Sequence, residues 1–309
     1  MSGRDSVLLI AFGGPERPAD IRPFLETVAA GRRIPAERLE EVARHYEAIG
    51  GRSPLGEHTR REAEALRAVL ARSGRGAPVF VGMRNWHPFL PETVAGMRDR
   101  GCRRALGIIL SAFQTEASWG RYMADVAAAR DKVGADAPEI AYAPAWADRP
   151  LFVAAMADRA AEALARVAAE RRGSAALLFT AHSVPAAMAA GSPYVAQFEG
   201  AARDVAARLG HARWSVAYQS RSGSPHDPWL EPDIAEALRA LGKEGARDVV
   251  VVPLGFACDH VEVLYDLDVQ ARRVAVDAGL AFHRAGTVSD HPAFIAMLAD
   301  LVLDTPTEP

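Results

Sequence analysis

Two segments of this 309-residue chain carry side chains whose types and spacing suit proton transfer and the handling of a divalent cation. The first is Thr180-Ala181-His182-Ser183-Val184-Pro185, in which a histidine closes the apolar run ALLFTA that starts at Ala176. An imidazole at the tip of a buried strand is partly desolvated and titrates near neutrality, so it can act as a base or a metal ligand. The plainer alternative is a His-Ser pair that closes a strand-to-helix turn. The second segment runs from Gly255 to Asp268, leaving the apolar run VVVVPLGF and opening a helix with Asp259 as the expected N-cap. Helical spacing puts Glu262, Tyr265 and Asp266 on one face. Acidic residues in a first turn often only complement the helix dipole. A carboxylate stripe opposite a histidine-bearing strand end also suits a transient route for a divalent ion, because imidazole and carboxylate oxygens are both ligands for such ions.

Two further stretches read as recognition surfaces. Arg32, Arg33, His45, Tyr46 and Ser53 surround an apolar helix end that breaks into the turn Gly50-Gly51. Cationic and hydroxyl groups beside apolar surface suit a ligand with a greasy body and carboxylate arms; a solvated helix with a glycine C-cap is the bland reading of the same residues. Gln219-Ser220-Arg221 precedes Asp227-Pro228-Trp229-Leu230, where Trp229 is either a contact aromatic or a plug beneath its own loop. Gly13-Gly14-Pro15 lacks both the dinucleotide fingerprint and the phosphate-loop lysine, so it reads as a tight turn. Ser183 adjoins His182 without the G-x-S-x-G elbow of a serine hydrolase.

These residues must be positioned by short apolar β-rich runs that alternate with amphipathic helices, the pattern of α/β units with parallel sheets. Val7–Phe12 is a continuous apolar run closed by a glycine turn, as a strand buried on both faces should be. Further runs start at Val79, Leu106, Ile140, Ala176, Ser215, Asp248 and Ala281, with helical patterns that include His58–Ser73, Gly120–Val133, Leu151–Arg171 and Asp259–Gly279. The second half echoes the first: VLLIAFGGP corresponds to ALLFTAHSVP, and AWADRPLFVAAMADR to TVSDHPAFIAMLADL. Two similar open α/β domains follow, 1–147 and 148–309, each with four parallel strands flanked by helices. Ligands of such sheets sit beyond the carboxyl ends of the strands. That singles out Phe12, Arg84-Asn85-Trp86, His182-Ser183, Gln219-Ser220-Arg221 and Phe256 through Glu262.

With 36 Lys and Arg against 39 Asp and Glu, the net charge of −3 provides no basic field for a nucleic acid. Cys102 and Cys258 are the only two cysteines, short of the four that an iron–sulfur cluster usually needs. No apolar stretch approaches the roughly 20 residues of a membrane span, and the opening MSGRDSVLLIAFGG is too short in apolar residues for a signal segment. A soluble cytoplasmic protein is expected.

Taken together, Gly13-Gly14-Pro15, Tyr46 through Gly51 with Ser53-Pro54-Leu55, Arg84-Asn85-Trp86-His87-Pro88, Ala181 through Pro185, Gln219-Ser220-Arg221 with Pro228-Trp229-Leu230, and Gly255 through Asp268 resemble the ferrochelatase family in order and over nearly the whole chain. The resemblance implies two Rossmann-like, chelatase-type domains enclosing a porphyrin, and insertion of Fe(II) into that porphyrin in haem biosynthesis. Fe(II) and porphyrin would be the substrates and haem or coprohaem the product, in a monomer that needs no obligatory cofactor and no iron–sulfur cluster. Coproporphyrin III is favoured over protoporphyrin IX. His182 and Glu262 would be the catalytic pair, with His182, Glu262 and Asp266 handling metal. Phe12, Arg32, Arg33, His45, Tyr46, Ser53, Tyr122 and Trp229 would line the porphyrin. Three positions depart from the family pattern: Phe12 replaces a tyrosine that can approach the metal, His45 an arginine, and Gln270 an acidic residue. A haem carrier without catalysis, and a related chelatase acting on another metal or tetrapyrrole, are the alternatives. Iron insertion distinguishes the first and metal competition the second.

Overall fold

The structure is a computed structural model and describes residues 4–31, 34–222 and 227–304. The apolar runs form two four-stranded sheets in which every neighbouring pair is parallel. In the first, β1 (Ser6–Ala11), β2 (Val79–Met83), β3 (Arg104–Ile109) and β4 (Glu139–Tyr142) lie in the order β2-β1-β3-β4. In the second, β5 (Ala176–His182), β6 (Trp214–Gln219), β7 (Asp248–Val252) and β8 (Ala281–Arg284) repeat that pattern as β6-β5-β7-β8. The central strands are the most apolar because helices cover both of their faces: every residue of β1 and of β7 is buried. Register is equally regular, with Val7 opposite both Val79 and Leu106, and Leu177 opposite both Trp214 and Val250.

The connecting helices are α1 (Ile21–Ala29), α2 (Ala36–Ala48), α3 (Leu55–Arg72), α4 (Leu90–Asp99) and α5 (Arg121–Val133), then α6 (Pro150–Leu164), α7 (Ala186–Ala190), α8 (Tyr194–Arg208) and α9 (Ile234–Lys243), and finally α10 (Val261–Leu264), α11 (Arg272–Asp277) and α12 (Pro292–Asp304). Several differ from the sequence expectation. The stretch Leu151–Arg171 stops being α-helical at Leu164 and ends in a 3-10 segment over Ala169–Ser174. Gly120–Val133 is preceded by a π-helical turn over Glu116–Gly120. Asp259–Gly279 is broken: α10 lasts one turn, a π-helical stretch covers Asp266–Ala271, and α11 completes it. No helix among the described residues is long and apolar enough to cross a membrane.

The chain divides into two compact units, but not by the single cut at 147. One unit takes the described residues of Met1–Ser111, Ala117–Pro144 and Ser289–Pro309; the other takes Ala112–Glu116 and Ala145–Val288. The reason lies in α12, whose apolar face (Phe294, Ile295, Leu298, Leu301) is buried and which packs on α3. Ser289 hydrogen bonds Nδ1 of His58 at 2.6 Å, Arg61 pairs with Asp290 at 3.4 Å, and Arg75 donates to the Leu303 carbonyl. The internal echo already placed this last segment as the counterpart of the one after Ala145; packing assigns it to the first unit.

Candidate functional site

In the second unit β5 ends on His182, and the short helix α10 presents Glu262 to it, Nε2 lying 3.3 Å from the carboxylate Oε1. The other ring nitrogen, Nδ1, faces the Ser183 carbonyl. Both imidazole nitrogens therefore look at acceptors, an arrangement satisfied by the doubly protonated ring. Burial by itself would push the imidazole down. The charge and hydrogen bond of Glu262, helped by the Ser183 carbonyl and the charge of Asp266, outweigh burial and hold His182 raised, at about 9. Glu262 responds in kind: burial would raise it, but His182 and the more distant His260 keep it below the ordinary carboxylate range. The result is an imidazolium–carboxylate pair at neutral pH, not the neutral base that the sequence suggested. Its side chains keep 29% and 33% of their surface exposed.

The remaining acidic residues divide by partner. Asp259 is not the helix cap. His260 takes that place, its Nδ1 accepting from the Glu262 amide, while Asp259 is held by Arg284 and the Thr287 hydroxyl. Arg284 also binds both oxygens of Asp268, at 2.9 and 3.0 Å. Asp259 and Asp268 thus share the Arg284 guanidinium, with Arg272 3.7 Å from Asp268, whereas Glu262 faces His182. Asp266 accepts the Ser220 hydroxyl. Among the described residues no group of three or more His, Cys, Asp or Glu side chains is arranged to hold a metal ion; of the expected set, His182 and Glu262 are paired and Asp266 acts on His182 through its charge. Trp229 is tied to the same corner: its residue bridges Pro185, Leu230 pairs with Val184, and the Ser183 hydroxyl donates to the Leu230 carbonyl. The Arg221 guanidinium lies 5.7 Å from the centre of the Trp229 ring.

The first unit offers an aromatic corner at the equivalent strand end. Phe12, just past β1, is 39% exposed and meets Phe24 edge-on at 6.3 Å, and Phe24 in turn meets Tyr46 and Trp86. Arg84, paired with Asp125, lies 5.8 Å from the Phe12 ring centre and 4.9 Å from that of Tyr122. Other expected porphyrin contacts sit deeper than the sequence suggested. Tyr46 and Tyr122 are buried, and Ser53 is buried with its hydroxyl accepting the Leu55 amide at the start of α3. Ser53 packs so closely on Gly14 that a Cβ there would come within 2.8 Å of its Oγ. His45 is held down by burial first and by Arg38 and Arg44, against the pull of Glu41, so it is uncharged at neutral pH and supplies no cation for a carboxylate. Arg32 and Arg33 lie outside the described residues.

The family model for ferrochelatase matches residues 4–305. This chain belongs to the ferrochelatase family. It is 46% identical over 301 residues to a coproporphyrin III ferrochelatase of Mycolicibacterium smegmatis, covering 96% of this chain and 88% of the relative. A protein of the same description from Frankia alni is 46% identical, with 96% and 79% covered. Two solved structures share the fold at low identity. The sirohydrochlorin chelatase SirB of Bacillus subtilis with cobalt aligns with a TM-score of 0.56 at 11% identity, over 97% of this chain and 94% of that one. A multi-domain Deinococcus radiodurans protein with structural similarity to chelatases gives 0.59 at 16%, covering 96% of this chain and 55% of that one.

Within this ferrochelatase-family chain, the residues that the sequence left without a role are Arg84, Gln219 and Ser220. Arg84 and Ser220 follow directly on strand ends and Gln219 is the last residue of β6, which was the available signal. What they touch was not readable, because their partners Asp125, Glu262 and Asp266 lie roughly 40 to 46 residues away along the chain.

Proposed function

We propose that this protein inserts Fe(II) into a porphyrin with release of two protons, that the porphyrin is coproporphyrin III, and that the product enters haem biosynthesis as coprohaem. The observation that carries the reading is the His182–Glu262 pair at the end of a buried strand, in a chain of this family. The coproporphyrin III ferrochelatases among its relatives support the choice of porphyrin.

A free porphyrin carries two pyrrole N–H groups, and Fe(II) arrives hydrated. Both sets of protons and waters must leave. Glu262, ionised beside His182, is the group ready to accept a pyrrole proton at neutral pH. Glu262 passes the two pyrrole protons in turn to solvent, which accounts for the two released. The proton that His182 gives up to solvent when a cation competes for its nitrogen is taken back once the cation has moved on, so metal arrival and proton release are coupled. The exposed third of the pair provides the access that exchange with substrate requires. Asp266 adds negative charge that favours an approaching cation. Phe12 and Trp229 supply apolar surface for the macrocycle. Phe12 has no oxygen to offer iron. The protein is further proposed to be cytoplasmic and monomeric, to need no resident cofactor or iron–sulfur cluster, and to bind no nucleic acid.

Anaerobic Fe(II) insertion, followed by the collapse of the four porphyrin Q bands to two, tests the reading with coproporphyrin III and protoporphyrin IX in parallel. Faster collapse with coproporphyrin III is expected, together with its loss in His182→Ala. Binding of both porphyrins without collapse would replace this reading with that of a carrier.

A further inference from the structure

The side chains of Gln219 and Ser220 are neighbours in sequence, yet both grip the same helical segment. Gln219 Nε2 donates to the backbone carbonyl of Glu262 at 2.6 Å, and the Ser220 hydroxyl donates to Asp266. In an extended strand, successive side chains point to opposite faces, so two consecutive residues reach one helical turn only if the alternation is broken. The break is visible: Ser220 adopts φ +61°, the left-handed region that non-glycine residues seldom enter. Gln219 is fully buried, and its Oε1 has no partner. The amide is thus oriented through its Nε2 alone, which donates to the Glu262 carbonyl at 2.6 Å and more weakly to the neighbouring Ser220 hydroxyl at 3.3 Å. The contacted carbonyl lies where the chain passes from the one-turn helix α10 toward the π-helical stretch that begins at Asp266. At such a junction the regular helical ladder changes register, and outside donors settle the backbone.

We propose that Gln219 and Ser220 form a positioning latch. Gln219 sets the turn that aims Glu262 at His182, and Ser220 sets the carboxylate of Asp266, with the left-handed backbone at Ser220 allowing both to act from one strand end. The proposal rests on His182 and Glu262 being the reaction centre. Neither latch residue exchanges protons with substrate; both act through the carboxylates they hold. The strain at Ser220 persists because the hydroxyl of that residue has a charged acceptor waiting.

Three full-length variants test it. Ser220→Gly keeps the left-handed backbone and removes the donor. Ser220→Asn tolerates the same backbone and restores a donor. Gln219→Leu removes the amide at similar size. In anaerobic insertion of Fe(II) into coproporphyrin III, S220G is expected to raise KM for Fe(II) about 10- to 100-fold, the usual effect of removing a group that orients a metal-handling side chain. S220N is expected to recover most of that loss, and Q219L to lower kcat by about tenfold. Coproporphyrin affinity should stay near wild type in all three. Backbone amide exchange over residues 262–271 supplies a readout without turnover: faster exchange in S220G and Q219L, restored in S220N. Wild-type kinetics and exchange in S220G and Q219L would overturn the latch, and so would equal losses in S220G and S220N. If the wild-type chain inserts no iron, the reaction reading fails while the exchange data still decide whether the latch exists.

Discussion

The two units build the same four-stranded parallel sheet in the same order and finish equivalent strands with opposite chemistry. At the end of β1 stands Phe12, exposed and edge-packed on Phe24; at the end of β5 stands His182, charged and paired with Glu262. Past β2, Arg84 is balanced by Asp125; past β6, Gln219 and Ser220 hold a carboxylate-bearing segment. Even the π-helical turns recur, over Glu116–Gly120 after β3 and over Asp266–Ala271 after β7. A shared scaffold therefore fixes where strand ends fall, and a few residues at each end set the chemistry of that corner, aromatic in the first unit and imidazolium–carboxylate in the second. The units also treat buried charge differently. The second pairs Asp248 with Arg171 and His283, and Arg284 with Asp259 and Asp268. The first keeps Glu62 fully buried, with neither carboxyl oxygen hydrogen bonded.

Deleting the reactive corner should cost most. His182→Ala is expected to slow iron insertion by about 10²- to 10⁴-fold, the usual range for a positioned proton-transfer group, with coproporphyrin binding by fluorescence quenching retained. Near-normal turnover would erase the contrast between the corners. Glu262→Gln comes next. Without the carboxylate, burial is opposed only by the Ser183 carbonyl and the charge of Asp266, so the His182 imidazole should titrate well below about 9, as read by histidine NMR on the metal-free protein; an unmoved titration would show that Glu262 is not its partner.

The contrast in buried charge gives a stability prediction of a few kcal/mol. Burial pushes Glu62 up to about 8, with Asp290 adding to the rise and Arg61 opposing it. The folded protein then holds a proton that the unfolded chain releases above about 4.5, so the contribution of Glu62 to stability is full below about 4.5 and is lost as pH climbs from there through about 8. Glu62→Met should flatten that decline and stabilise the protein by about 3 kcal/mol near neutrality, measured by urea unfolding across pH; a parallel curve for the variant would refute it. The smallest effect belongs to the binding corner: Phe12→Ala should weaken coproporphyrin about tenfold, roughly the loss of one aromatic contact face, while leaving kcat nearly intact. A kcat collapse there would mean that the first corner is also reactive.

Much of this was legible in the chain. Continuous apolar runs marked the strands because parallel strands are buried on both faces, and the echo between halves announced the repeated sheet. His182 and Glu262 were legible as strand-end and first-turn residues of the right types. What could not be read was pairing over distance. Asp259 looked like a helix cap, and only the fold brings Arg284 to it. Asp266 looked like part of an acidic line for metal, and only the fold shows the Ser220 hydroxyl bonded to it. Ser53 and Tyr46 carry the groups suited to a polar ligand, but local packing buries them. The break at Asp266–Ala271 was also hidden, since the hydrophobic spacing of an α-helix tolerates one extra residue in a turn.

The return of α12 to α3 has a bearing on how the protein is made. A ribosome delivers the second unit whole before it delivers the strip that completes the first, because Ala145–Val288 intervenes between Pro144 and Ser289. At about 5 to 20 residues per second, the face of α3 waits roughly ten to forty-five seconds for the about 220 residues between Arg72 and Pro292, with its partner helix still unsynthesised. During that interval the face of α3 that α12 later covers stays open. The half of the molecule that is started first is the half that is finished last.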